Sequence, residues 1–188
     1  AHHFTMDSVA YSAHQLGGDF IDYITLNDKR AMFLIGDVSG KGLSASMSMV
    51  ILKSIIHTYL QTITDFKELV TKVNRFIKDN LPRGTFFAGL FGIIDFPTNT
   101  IYYLNCGIPL MSMYISSYKN AIEIQGEGKV LGFVKNIAPF LKVRKITMHK
   151  GDVIVFTTDG LLEATNLKGD RFGSDRVDRL LQENSSAA

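Results

Sequence analysis

The 188-residue chain is 46% apolar with a formal net charge of +2: enough apolar material for one sizeable core, too little charge for a polyelectrolyte partner. A single cysteine excludes a disulfide framework and a thiolate metal cluster and fits a reducing compartment, the cytoplasm. No apolar run approaches the roughly 20 residues of a membrane span, and "AHHFTMDS" lacks a signal-peptide core, so no membrane insertion is expected.

Taken from the N-terminus, residues 1–8 read as a tag or linker remnant around His2 and His3, and 1–188 as a single domain without repeats or low-complexity tracts. The runs Phe20 to Leu26 and Ala31 to Val38 have the β-branched and aromatic composition of strands. Two helices follow. The first, Leu43 to Gln61, is apolar on two adjoining faces, with Leu43, Met47, Val50, Ile51 and Ile55 on one and Met49, Leu52, Ile56 and Leu60 on the other; that width predicts near-complete burial. The second starts from Asp65 as N-cap with Glu68 three residues on, repeats apolar residues from Phe66 to Ile77, and stops at Leu81-Pro82.

Further strands are expected at Thr85 to Ile94, Thr100 to Leu104, Leu110 to Ile115, Leu141 to Met148 and Val153 to Thr158. "DFPTNT" and "HKGD" are the turn chemistry of hairpins between them. Lys142, Arg144, Lys145, His149 and Lys150 lie along an otherwise alternating segment, which predicts a solvated face and no nucleic-acid partner. Strands, two consecutive helices and more strands make the fold class α+β, a layered sandwich without βαβ units.

"IGDVSGKGLSAS", residues 35–46, resembles a phosphate-cradling loop, but the spacing fails: Gly36 and Gly40 enclose three residues where a nucleotide P-loop has four, and Gly42 follows Lys41 where Ser or Thr belongs. Asp37 would also repel a bare phosphate. Two more aspartates share its setting at a strand end beside glycine: Asp19 in "LGGDFIDY" and Asp159 in "VIVFTTDGLLEATN". Each alone also suits a plain turn, and periodicity does not say whether the strand ends converge. Converging carboxylates would raise one another's pKa unless cations offset the charge, and all-oxygen donors suit Mg²⁺ or Mn²⁺. No Ser/His or Cys/His pairing stands out: His14, His57 and His149 lie in unrelated contexts, and Cys106 sits among apolar residues as a packed thiol.

Gly17-Gly18-Asp19-Phe20-Ile21-Asp22, Asp37-Val38-Ser39-Gly40-Lys41-Gly42, Thr158-Asp159-Gly160-Leu161-Leu162-Glu163-Ala164 and Gly169-Asp170-Arg171-Phe172-Gly173-Ser174-Asp175-Arg176, with Leu131-Gly132 between, follow one another in this order. Together they resemble the signature blocks of the SpoIIE/RsbU-type bacterial serine phosphatases, a branch of the metal-dependent 2C-type protein phosphatases. The resemblance implies a four-layer αββα sandwich with a metal centre between the sheets, holding two or more Mn²⁺ or Mg²⁺ ions. It implies Asp19 and Asp37 as metal ligands, the Val38 carbonyl completing a shell, Asp159 on a second metal, and Asp22 acting through water. Glu163 and Asp152 are left as structural acids, and Lys41 either steers phosphate or is a solvated loop lysine.

The implied reaction is attack of a metal-activated water on a phosphoserine or phosphothreonine protein, with a phosphorylated STAS-domain anti-anti-sigma-type regulator as substrate. By the same resemblance an upstream sensor or regulator acts through helices 43–80, and a homodimer is allowed. Two departures stand out. Asn105-Cys106-Gly107-Ile108-Pro109 occupies the place of the family's Asn-Ala-Gly-His-x-Pro, and the sequence ends at "LLQENSSAA" without the further helix and Asp-Asp strand of the family pattern. Either a C-terminal piece follows Ala188 or the protein lacks it; the second case leaves two rivals to the phosphatase expectation, a catalytically impaired pseudophosphatase that binds a phosphoprotein or partner and a Mg²⁺-stabilised interaction domain.

Overall fold

The computed structural model describes residues 4, 19–40, 42–108, 110–124, 128–157, 171 and 173–184. Strands β1 (Asp19–Thr25) and β2 (Arg30–Val38) form a hairpin whose turn is fixed by the Asn27 side chain, which accepts from Lys29 N and Arg30 N at 2.8 and 2.9 Å. Helices α1 (Gly42–Leu60) and α2 (Phe66–Asn80) follow, and Asp65 caps α2 by accepting from Glu68 N at 2.7 Å, as its spacing predicts. Then come β3 (Phe87–Asp95), β4 (Thr100–Cys106), β5 (Leu110–Ile115), β6 (Asn120–Ile124), a short 3-10 turn (Ala138–Phe140), β7 (Arg144–Thr147), β8 (Val153–Thr157) and α3 (Gly173–Asn184). Neither β6 nor α3 is among the predicted elements; "NAIEI" is short and half-polar, and α3 is strongly polar, so neither carries a loud apolar pattern.

Two antiparallel sheets result, one ordered β1-β2-β3-β4-β7 and one ordered β6-β5-β8. Alternation along β2 divides the core. Leu34 and Val38 face the helices, among Leu52, Ile56, Val70, Val73 and Ile77, while Phe33 faces the second sheet among Leu90, Ile101, Met111 and Phe156. On the outside of the smaller sheet, Val177 and Leu181 of α3 close over Tyr114. The order helices, sheet, sheet, helix is the expected αββα sandwich.

Two expectations fail. "HKGD" does not make a hairpin: β7 pairs with β4 in the larger sheet and β8 with β5 in the smaller, so this turn carries the chain from one sheet to the other. Asp152 accepts from Ser116 N and His149 N there, a structural use of that acid. Nor is α1 nearly buried. Ala45, Ser48, Leu52 and Ile56 are buried and Met49, Ile55, Tyr59 and Leu60 partly so, because one layer of neighbours reaches one side of a helix; Leu43, Met47, Val50 and Ile51 are 41–64% exposed. By length and composition alone α1 could cross a membrane, yet here it packs on the larger sheet.

Two polar ties fasten these elements. Asn74 on α2, with no exposure, donates to Val134 O and Lys135 O at 3.0 and 3.4 Å and accepts from Gly132 N at 2.8 Å. Asp95, at the end of β3, accepts from the Thr98 hydroxyl and from Arg30 Nε at 2.9 Å. The Thr98 bond chiefly holds the Asp95 carboxyl below its ordinary pKa of 3.8, against the upward push of burial and with Arg30 assisting.

Asn74→Ala is expected to lower stability by about 2–3 kcal/mol, because it orphans the Gly132 amide and the Val134 carbonyl inside the core; chemical denaturation measures it. Asp95 adds stability that is fully present above pH 3.8 and lost as the pH falls through its lowered value. Asp95→Asn should therefore cost about 1 kcal/mol at pH 7 and flatten the loss of stability below pH 4, read from denaturation midpoints across pH 2–7.

Candidate metal site

The β1–β2 register sets Asp19 directly across from Asp37. Along β2, Phe33 and Ile35 pack between the sheets, and Asp37 continues that face to the strand's end, where it is exposed. Val38 points the other way, 1% exposed in the helix-side core, which pins the backbone just after the carboxylate. Gly40 and Gly42 take φ of 110° and 65°, the left-handed values that turn the chain from β2 into α1 at little cost only for glycine. Ser39 fastens this loop to the start of β3: its N donates to Phe86 O at 2.9 Å, and its Oγ accepts from Phe86 N at 2.9 Å.

Of the aspartates chosen from the sequence, the structure thus brings Asp19 and Asp37 to one register position. Asp159 and Lys41 lie outside the described residues. The strand leading to Asp159 is placed, however: Phe156 on β8 packs against Phe33 on β2 with ring centroids 5.5 Å apart. Among the described residues, no group of three or more His, Cys, Asp and Glu side chains gathers as a metal site. Cys106 is fully buried and its thiol is pushed up to about 12 by desolvation, which removes it as a nucleophile.

Asp22 is not brought to the Asp37 end. It pairs with Leu34 in register, which puts it on the helix-covered face, and its Oδ2 lies 2.8 Å from His57 Nε2 of α1. The alternation of a strand carries this information already, since residues three apart point to opposite faces. His57, read as unrelated to any acid, is in fact tied to one; only the packing of α1 across β1 could reveal that.

The family's histidine position, held here by Ile108, explains itself by packing. Ile108 is 4% exposed in the core between the sheets, and Asn105 Oδ1 accepts from Gly107 N and Ile108 N at 2.9 and 2.8 Å to form the turn. That turn lies beside β3, where Gly107 bridges to Gly89.

Residues 27–188 match the family described as Stage II sporulation protein E (SpoIIE). The chain belongs to the SpoIIE family. This SpoIIE-family chain is 23% identical over 165 residues to the phosphoserine phosphatase RsbU of Bacillus subtilis, covering 86% of the chain and 48% of RsbU. It spans less than half the length of the curated relatives it matches. Among solved structures, the RsbU and RsbW domains of Rv1364c from Mycobacterium tuberculosis superpose with a TM-score of 0.75 at 24% identity, over 95% of this chain and 49% of that one. RsbX in complex with magnesium superposes with a TM-score of 0.62 at 18% identity, over 91% of this chain and 81% of that one. The fold, two sheets and three helices among the described residues, is therefore shared with these two structures.

His57→Ala and Asp22→Asn are each expected to cost about 0.5–1 kcal/mol, since the pair is partly exposed, and the double variant should cost less than their sum. Urea denaturation of the four proteins closes the cycle.

Proposed function

We propose that the chain is a metal-dependent protein serine/threonine phosphatase domain. The observation that carries this reading is the pairing of Asp19 with Asp37 at the end of the Asp37 face, with Val38 anchored next to them. Hard oxygen donors at a strand end fit Mn²⁺ or Mg²⁺. Asp19, Asp37, the Val38 carbonyl and Asp159 would hold two or more such ions. The Phe33–Phe156 contact supports including Asp159, because it packs the strand that precedes Asp159 in the chain against the strand that carries Asp37.

When bound, these ions lower the pKa of a water for hydrolysis of a phosphate ester and neutralise phosphoryl oxygens. The chain's own contribution is to hold the carboxylates in place from a buried strand. Asp22 we assign to the His57 tie instead of the metal shell. No protein nucleophile is needed, in keeping with the inert Cys106.

The substrate we propose is a serine-phosphorylated STAS-domain regulator, in line with the phosphoserine phosphatase RsbU as a relative. A sensor or regulator acting through residues 43–80 fits the exposed apolar side of α1, where Leu43, Met47, Ile51 and Pro82 line an open groove of about 330 Å³.

Two measurements test this. Mn²⁺ at about 100 times its Kd should raise stability by roughly 2.7 kcal/mol, with the gain lost in Asp37→Asn and kept in Asp22→Asn, as read by calorimetric melting. Phosphate release from a phosphoserine protein with Mn²⁺ should fall about 100-fold or more in Asp37→Asn and in Asp159→Asn. Equal rates in wild type and both variants would sink the phosphatase reading.

A further inference from the structure

Beside the Asp37 end of β2 lies a surface that metal binding does not use. Ala88 stands across from Asp37, and Phe86, two residues earlier in extended chain, falls on the same side. Its ring stacks on Phe133 with centroids 5.0 Å apart, and Phe133 is 60% exposed. The loop that carries Phe133 has a rigid backing. Leu131 exchanges both backbone hydrogen bonds with Phe87 at 2.9 Å, and Asn74 holds Gly132 and Val134. The same loop carries Lys129, whose Nζ lies 3.9 Å over the exposed Phe140 ring.

The stretch of chain that carries this loop is rich in cations. Residues 128–150 hold Lys129, Lys135, Lys142, Arg144, Lys145 and Lys150 and no acidic residue, and Arg83 is exposed in the turn just before Phe86. Among the described residues, Arg83, Lys129, Lys135 and Lys142 enter no ion pair. An aromatic anchor on a rigid backing with a cationic rim is the composition of a docking site for an anionic protein face.

Resting on the phosphatase reading above, we propose that this surface, with Phe133 as its central anchor and Arg83, Lys129 and Lys135 around it, is where the phosphoprotein substrate docks. The complementary face is acidic and carries an apolar patch beside its phosphoserine. Phe86 is bonded to Ser39, two residues from Asp37, which sets the Phe86–Phe133 pair beside the Asp37 end of β2.

The test uses Phe133→Asp and the double variant Lys129→Glu/Lys135→Glu, both surface changes, against a serine-phosphorylated STAS-domain protein and against p-nitrophenyl phosphate, which is too small to need a docking surface. The ratio of kcat/KM for the phosphoprotein to that for p-nitrophenyl phosphate is expected to fall about tenfold or more in each variant. The phosphoprotein KM of the wild type should also rise with salt, and rise less steeply in the charge-reversed variant. A ratio within twofold of wild type in both variants overturns the proposal. If the wild type hydrolyses neither substrate, the phosphatase reading falls, and titration calorimetry with the same phosphoprotein decides the docking: binding lost in both variants upholds it, and no binding by the wild type overturns it. Binding of a single-stranded oligonucleotide that these variants abolish, without phosphoprotein binding, overturns the choice of a protein occupant.

Discussion

Strand β2 must satisfy two different cores at once, and this constraint sets everything around the candidate site. Its even-numbered residues Met32, Leu34 and Val38 belong to the helix side, and its odd-numbered Phe33 and Ile35 to the space between the sheets. A slip of one residue would drive Asp37 into the apolar layer under α1 and expose Val38, at a cost of several kcal/mol for an unpaired buried carboxylate. Both neighbours, β1 and β3, pair with β2 along most of its length, so the register is held from two sides. The position of Asp37 is thus a consequence of hydrophobic packing, and the carboxylate itself adds nothing to that packing.

The sequence is most legible where packing and local chemistry agree. Asp65 and Glu68 mark the start of α2 because a cap is a local event, and Leu81-Pro82 marks its end for the same reason. The strand ends bearing Asp19 and Asp37 are readable from composition, but their pairing is not, since the register depends on a turn at Asn27 whose side chain closes it. The "HKGD" turn shows the limit: turn residues say that the chain reverses, and say nothing of whether the next strand joins the same sheet. Likewise Asp22 reads as part of one acidic motif with Asp19 in sequence, and its tie to His57 takes it to the helix side.

Helix α1 shows why apolar content alone misleads about burial. A residue composition that reads as a core helix leaves a stripe of Leu43, Met47, Val50 and Ile51 uncovered, because the sheet beneath offers one face only. Its attachment is correspondingly modest: a line of small and medium side chains below, and the His57–Asp22 pair at its far end. Helix α2 is different, with a narrower apolar stripe fully engaged and a polar anchor in Asn74.

That anchor makes α2 and the segment from Leu131 to Lys135 a single cooperative unit. Sliding one past the other would break several part-buried hydrogen bonds at once, all of them to an Asn74 side chain that has no exposure of its own. Segments 60 residues apart in the chain therefore share one opening free energy, and their amides should exchange with solvent in the same event. The chain has in effect sewn a surface loop to the buried side of its second helix.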